Sequence, residues 1–187
     1  MASSWASGIS VYGVTAIVGL AGRFDWIDAP PFVERTWVIA LALLLFAVEF
    51  VIDKVALIDS VWDGVHTFIR PAIGGYLASS ATDTDLSVAA LAATGVALAL
   101  SSHSAKASTR LIVNTSPEPF SNVAVSLGEN GLVAVLMTFA LTRPQLALVL
   151  TVVLAILSTV VAVMLFRTAR RITRRVRAGR AAPPNTT

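Results

Sequence analysis

Apolar residues run along this chain in long blocks, and the charges gather in short bursts between them. Residues 2–22 carry no charge, residues 36–52 only Glu49, and residues 86–102 none. Residues 146–166 form a further uncharged block of 21 residues, long enough at about 1.5 Å per residue for a bilayer core of about 30 Å. The pattern predicts a first helix over about 5–22, a second over 34–54, a third over 85–114 and a last over 146–166. Two stretches read as interrupted. In residues 59–80 an amphipathic piece meets Pro71, and the uncharged remainder of 12 residues, 71–82, reaches only about 18 Å as a helix. A half-membrane, re-entrant hairpin is expected there. Residues 120–141 read as a second short pair, with Gly128 and Gly131 at its break. The fold class expected is all-α: a polytopic membrane bundle of about five transmembrane helices plus broken or re-entrant short helices.

Composition supports the membrane setting. Of 187 residues, 56% are hydrophobic and 13% charged, about half the charge of an ordinary soluble domain. The first block has no basic residue ahead of it, so it reads as a helix rather than a secretion signal. There is no cysteine, which removes disulfides and thiolate chemistry. The net charge of +3 is unevenly spread: residues 167–180 hold seven arginines and no acid, leaving 7 − 11 = −4 for residues 1–166. Basic residues just past a membrane helix predict a cytoplasmic C-terminus in the cell membrane and a grip on anionic lipid through Arg170, Arg171, Arg174 and Arg175. No aromatic residue interleaves these arginines, so nucleic acid is not the expected partner. The expected organisation is one integral-membrane domain, residues 1–166, with a basic tail, 167–187.

The charges inside the bundle carry the candidate chemistry. Glu49 and Asp53 lie four residues apart at the end of the second helix. His103, Lys106, Arg110 and Asn114 share one face of the third. A lone charge at the bilayer centre costs about 2.5–3.5 kcal/mol on the lenient scale. The two faces are therefore expected to pack together, acids against bases, behind Ala92, Gly95 and Ala99, which let a neighbouring backbone come close. Asp59, Asp63, His66 and Arg70 form a polar stripe that either faces interfacial water or lines a cavity. Asp63 and His66 could share a proton or a divalent ion, although no metal site is assigned. Asp63, His66 and Arg70 would flank one mouth of the interior, and Asn122, Glu129 and Asn130 the other. At an offset of 57 residues Glu49 and Asp53 align with Lys106 and Arg110, and Gly74 with Gly131, which suggests an inverted repeat of the kind transporters use. No Gly-rich phosphate loop, HExxH or GxSxG pattern occurs, and no cofactor is expected.

These residues resemble a known family. Glu49-Phe50, the run DKVALIDSVWDGVHTFIRP, then His103, Lys106, Arg110, Asn114-Thr115-Ser116-Pro117, Asn122 and Ser126 are similar to a family of bacterial multi-pass membrane proteins described only as a domain of unknown function. The resemblance covers residues 5–165. Ala56 stands where family members often have proline, and Glu129-Asn130 where they have an acidic pair. The resemblance implies the membrane class and no established activity.

The reading that follows is a small-solute or ion transporter, or a channel, with a buried charged cluster and a homodimer as its assembly. Lys106 and Arg110 would suit an anionic solute, with Glu49 or Asp53 as proton carrier. A non-catalytic membrane scaffold or assembly factor is the alternative. An intramembrane enzyme acting on lipid, with Asp63 and His66 as its acid–base pair, comes third.

Overall fold

A computed structural model describes residues 1–80, 86–114 and 119–181. It contains seven helices: α1 (Ala2–Ser7), α2 (Val11–Arg23), α3 (Thr36–Ile52), α4 (Ala56–Ser79), α5 (Val88–Val113), α6 (Pro119–Thr142) and α7 (Pro144–Ala181). Among the described residues three stretches are long and apolar enough to cross a membrane: Val88–Val113, Phe120–Thr142 and Pro144–Thr168. Two more helices are of comparable length, α3 with 17 residues and α4 with 24. The fold is an all-helical bundle that fits an integral membrane protein.

Its polarity is inverted. The outer face of α7 exposes Leu148, Val152, Ile156 and Val160, whereas the bulkiest fully buried side chains include Arg70, Arg110, His66 and Glu49. Aliphatic surface facing outward and charge facing inward is the arrangement hydrocarbon favours.

Local chemistry explains where the elements stop. Arg143 alone separates α6 from α7, because Pro144 cannot continue the ladder of α6 but is well placed in a first helical turn. Ser87 caps α5 by accepting from the Ala90 backbone N–H at 3.2 Å. Asp25, with φ 57°, makes the left-handed turn that ends α2.

Three expectations are corrected. The first block is not one helix over 5–22: it breaks at residues 8–10 into α1 and α2. Residues 59–80 are not a hairpin broken at Pro71, since α4 runs through that proline. The helix survives because α5 clamps it on both sides of the proline, with Thr67 against His103 and Gly74 against Gly95. Residues 120–141 do not break at Gly128 or Gly131 either; a Cβ on either glycine would touch nothing within 4 Å. These glycines sit on an open helix face, where nothing exploits their small size.

Packing fixes the direction of each helix. Small residues bring α4 and α5 into close antiparallel contact: a Cβ on Gly95 would meet Gly74 O and Ala78 Cβ, and one on Gly74 would meet Ala99 Cβ. Ser158 donates to Ser101 at 3.3 Å, and Ser158 stands near the middle of the apolar stretch Pro144–Thr168. Further on, Leu111 and Arg167 line one cavity, so the C-terminal halves of α5 and α7 run the same way. At the opposite end Ala2, Val18, Leu77, Leu141 and Pro144 line another cavity. There the exposed aromatics Phe24, Trp26, Phe32 and Trp37 crowd the loop before α3, as residues at a membrane–water boundary do. The two ends are called here the arginine face and the tryptophan face.

Helix α1 and helix α2 thus both have their outer ends at the tryptophan face and meet at residues 8–10 inside the bundle. With 6 residues α1 is about 9 Å long. It is buried among α4, α5, α6 and α7. Trp5 anchors it, donating through Nε1 to Ser158 Oγ at 3.2 Å and accepting through its carbonyl from Ser102 Oγ at 2.6 Å. The pairs α3–α4 and α5–α6, compared at the 57-residue offset, run in the same sense through the bundle, so their relation is parallel rather than inverted. Thr115, Ser116 and Pro117 lie outside the described residues.

Candidate functional site

Charged side chains from α3, α4, α5 and α6 converge in two adjoining lobes between mid-bundle and the arginine face. The inner lobe is centred on Arg70, which is fully buried. Its Nη2 donates to Glu49 Oε1 at 2.8 Å, and its Nη1 to Asp63 Oδ1 at 2.8 Å and His103 Nδ1 at 2.9 Å. The same Nη1 lies 3.5 Å from the Gly8 carbonyl. An arginine can only donate, so His103 accepts through Nδ1. Its ring is neutral with the proton on Nε2, facing Thr67 Oγ1 at 3.1 Å. Thr67 Oγ1 in turn donates a hydrogen bond to the Asp63 carbonyl at 3.0 Å.

The outer lobe holds two cations. Lys106 Nζ donates to Asp53 Oδ2 at 2.9 Å and to the Ile9 carbonyl at 3.1 Å, with Glu129 Oε2 at 3.9 Å. Arg110 donates through Nη2 to Glu129 Oε2 at 2.5 Å and through Nη1 to the Asp53 carbonyl at 2.6 Å. Its Nε is 4.0 Å from Asp59 Oδ2, which also accepts from Asn114 Nδ2 at 3.3 Å. The Asn122 carbonyl lies 3.5 Å from Arg110 Nη1.

The expected pairing of Glu49/Asp53 with Lys106/Arg110 therefore holds by half. Asp53 meets both bases, but Glu49 goes to Arg70. Helix α3 leans on α2 rather than on α5, and Asp53 reaches the bases from the C-cap of α3. The polar stripe of α4 faces inward: Asp59, Asp63, His66 and Arg70 are all buried. Asp63 and His66 take different partners. His66 Nδ1 donates to the Trp62 carbonyl at 2.7 Å, and its Nε2 faces the Tyr12 hydroxyl at 2.8 Å. Among the described residues no group of three or more His, Cys, Asp or Glu could hold a metal ion. The two mouths expected on either side of the interior are instead neighbouring parts of one network. Asn130 turns away from it, donating to the Ser126 carbonyl at 3.0 Å.

Residues 8–10 belong to this site and were not expected there. In two consecutive residues the carbonyls left free by the break, Gly8 O and Ile9 O, face Arg70 and Lys106. Ser10 Oγ then donates to Glu49 Oε2 at 2.8 Å. A glycine and a serine inside an apolar block were the available signal; the partners are far away in sequence.

Charge does not balance within the network. Glu49, Asp53, Asp59, Asp63 and Glu129 oppose Arg70, Lys106 and Arg110, which gives −5 + 3 = −2 with all acids ionised. Several acceptors are buried without a hydrogen-bond partner among the described residues: Asp53 Oδ1, Asp59 Oδ1, Asp63 Oδ2 and Asn122 Oδ1. Arg170 and Arg171 are exposed near the end of α7; the side chains of Arg174 and Arg175 lie outside those described.

No curated protein and no solved structure matches the chain. A family model does, that of a domain of unknown function (DUF4126), over residues 1–164. With nearly the whole bundle and every charge of the network inside that match, the chain belongs to the DUF4126 family.

Proposed function

We propose that this protein moves a proton, or a small ion or solute coupled to one, across the cell membrane, with the two-lobed network as its translocation centre. The observation that carries the reading is the charge imbalance: four buried carboxylates and the half-buried Glu129 against three cations, inside a bundle with an aliphatic exterior. An imbalance of two negative charges in so dry a place calls for protons or a bound cation. Carboxylates that exchange protons within membrane helices are the recurring element of pumps and transporters. A net-negative centre favours a proton or cation over an anionic solute, because Lys106 and Arg110 are already neutralised by Asp53 and Glu129. The short α1–α2 hairpin, whose Gly8 and Ile9 carbonyls face Arg70 and Lys106, serves as the re-entrant element of this mechanism. The arginine face is the cytoplasmic one on this reading.

Proteoliposomes loaded with a pH-sensitive dye test the proposal. The parent protein should dissipate an imposed pH gradient faster than empty vesicles, and Glu49→Gln and Asp63→Asn should each slow it by at least about tenfold. Parent flux equal to that of empty vesicles would refute transport of protons.

A second reading, a membrane scaffold whose charges fix helix register, is favoured by one observation: ion pairs of 2.5–2.9 Å close the network internally. Lower abundance of the variants with no change in flux per folded molecule would support it instead.

A further inference from the structure

At the arginine face a cavity of about 560 Å³ opens between α4, α5 and α7. Its polar lining is Thr67, His103, Ser104, Ser108, Arg167 and Arg170. Leu100, Leu111 and Val163 are part of its apolar wall, and all three are exposed on the outer apolar surface. The pocket thus has a cationic, hydroxyl-bearing part and an apolar part that opens sideways to the hydrocarbon.

Depth narrows the occupant. Arg167 lies at the end of the apolar stretch Pro144–Thr168, at the level where lipid headgroups begin. Arg170, one turn further, stands with its guanidinium 5.3 Å from the Phe166 ring centre. Among the described residues the ion pairs are confined to the buried network, and neither arginine has a carboxylate within reach. Two guanidinium groups with free donors, beside serine hydroxyls, suit the oxygens of a phosphate. A soluble phosphate ester would leave the apolar wall unused, whereas a phospholipid fills both parts.

We propose that this cavity is a binding site for the phosphate-bearing head of an anionic membrane lipid, with the acyl chain lying against Leu100 and Val163. The assignment stands apart from the transport reading and survives its failure. It also places the ligand one residue from the inner lobe, because His103, on the pocket wall, accepts from Arg70.

The full chain, purified in detergent, is offered equal amounts of phosphatidylglycerol and phosphatidylcholine, and retained lipid is counted by native mass spectrometry. Phosphatidylglycerol should be retained over phosphatidylcholine. Arg167→Gln with Arg170→Gln should weaken that retention about 30-fold, on the scale of two basic residues at a membrane surface. Arg171→Gln, in the same basic tail but outside the pocket lining, should weaken it much less than either pocket arginine replaced alone. Thermal unfolding without added lipid, the same for parent and double variant, separates lost binding from a lost fold. Equal retention of both lipids, or undiminished retention by the double variant, overturns the site. So does an equal loss in Arg171→Gln, which would mean diffuse attraction by the tail. Loss of the retained phosphatidylglycerol on adding inorganic phosphate, with phosphate bound in its place, would overturn the lipid assignment in favour of a soluble phosphate ester.

Discussion

Replacing Arg70 with glutamine leaves Glu49 and Asp63 buried without the cation that each meets at 2.8 Å. The side chain is fully buried, so the carboxylates it leaves behind lie away from bulk water. Removing one partner of such a pair costs about 3–5 kcal/mol, most of it from the charges left behind rather than from attraction lost. The network would go from −2 to −3, and His103 Nδ1 would lose its donor. Lys54 is the contrast: it sits half-buried over the Phe50 ring at 3.1 Å and donates to the Phe50 carbonyl at 2.6 Å. Lys54→Gln should cost no more than about 1 kcal/mol. Reversible unfolding by SDS in mixed micelles, followed by far-ultraviolet circular dichroism, measures both. If stranded charge is the cause, adding Glu49→Gln and Asp63→Asn to Arg70→Gln should recover most of the loss. A triple variant no more stable than Arg70→Gln alone, or an Arg70→Gln cost below about 1 kcal/mol, would refute the account of Arg70 as the counter-charge of the inner lobe.

Three further outcomes follow from contacts elsewhere in the bundle, read by the same unfolding assay. Gly8→Val should destabilise by at least about 1–3 kcal/mol, since its Cβ would run into the Ala99 carbonyl and Ser102 Oγ. Gly128→Ala, facing open space, should stabilise by up to about 1 kcal/mol. Trp5→Phe removes the bond to Ser158 and should cost about 1 kcal/mol; in a Ser158→Ala background the added cost should largely vanish.

How much of this was legible in the sequence differs by element. The boundaries of α3 and α5 and the split at Pro144 follow from charge-free blocks and from proline's missing N–H, which are local signals. Helical spacing placed Asp59, Asp63, His66 and Arg70 on one stripe but left open whether it faced interfacial water or a cavity, because the partners that turn it inward lie on other helices. Pro71 misled, because the clamp that keeps α4 continuous comes from α5 through Gly74 and Gly95, and local propensity cannot anticipate a partner. The break at residues 8–10 was hidden for the mirror reason. Locally the first block reads as one helix, and what opens it lies on α3, α4 and α5. The partner of Glu49 was misassigned because two bases on one helix looked sufficient for two acids on another. Arg70, on the helix between them, was counted with a different group.

The short segment at residues 8–10 ties the lobes together. Gly8 O faces Arg70, Ile9 O faces Lys106, and Ser10 donates to Glu49, so three consecutive residues contact both centres of charge. Each of these contacts involves an ionisable side chain: the two carbonyls face cations, and the serine hydroxyl donates to a carboxylate, bonds that are stronger when the partner is charged. Neutralising Glu49 weakens its hold on Ser10 and on Arg70 together, and a displaced Arg70 takes its Nη1 away from Gly8. Gly8 has no slack in which to absorb that change, since Ala99 and Ser102 already crowd it. A change of charge in the inner lobe is therefore a change in what holds the α1–α2 hairpin at its depth, and through the Ile9 carbonyl it reaches Lys106 in the outer lobe. Two ion-pair clusters on four different helices are thereby coupled through a backbone turn that carries no charge of its own.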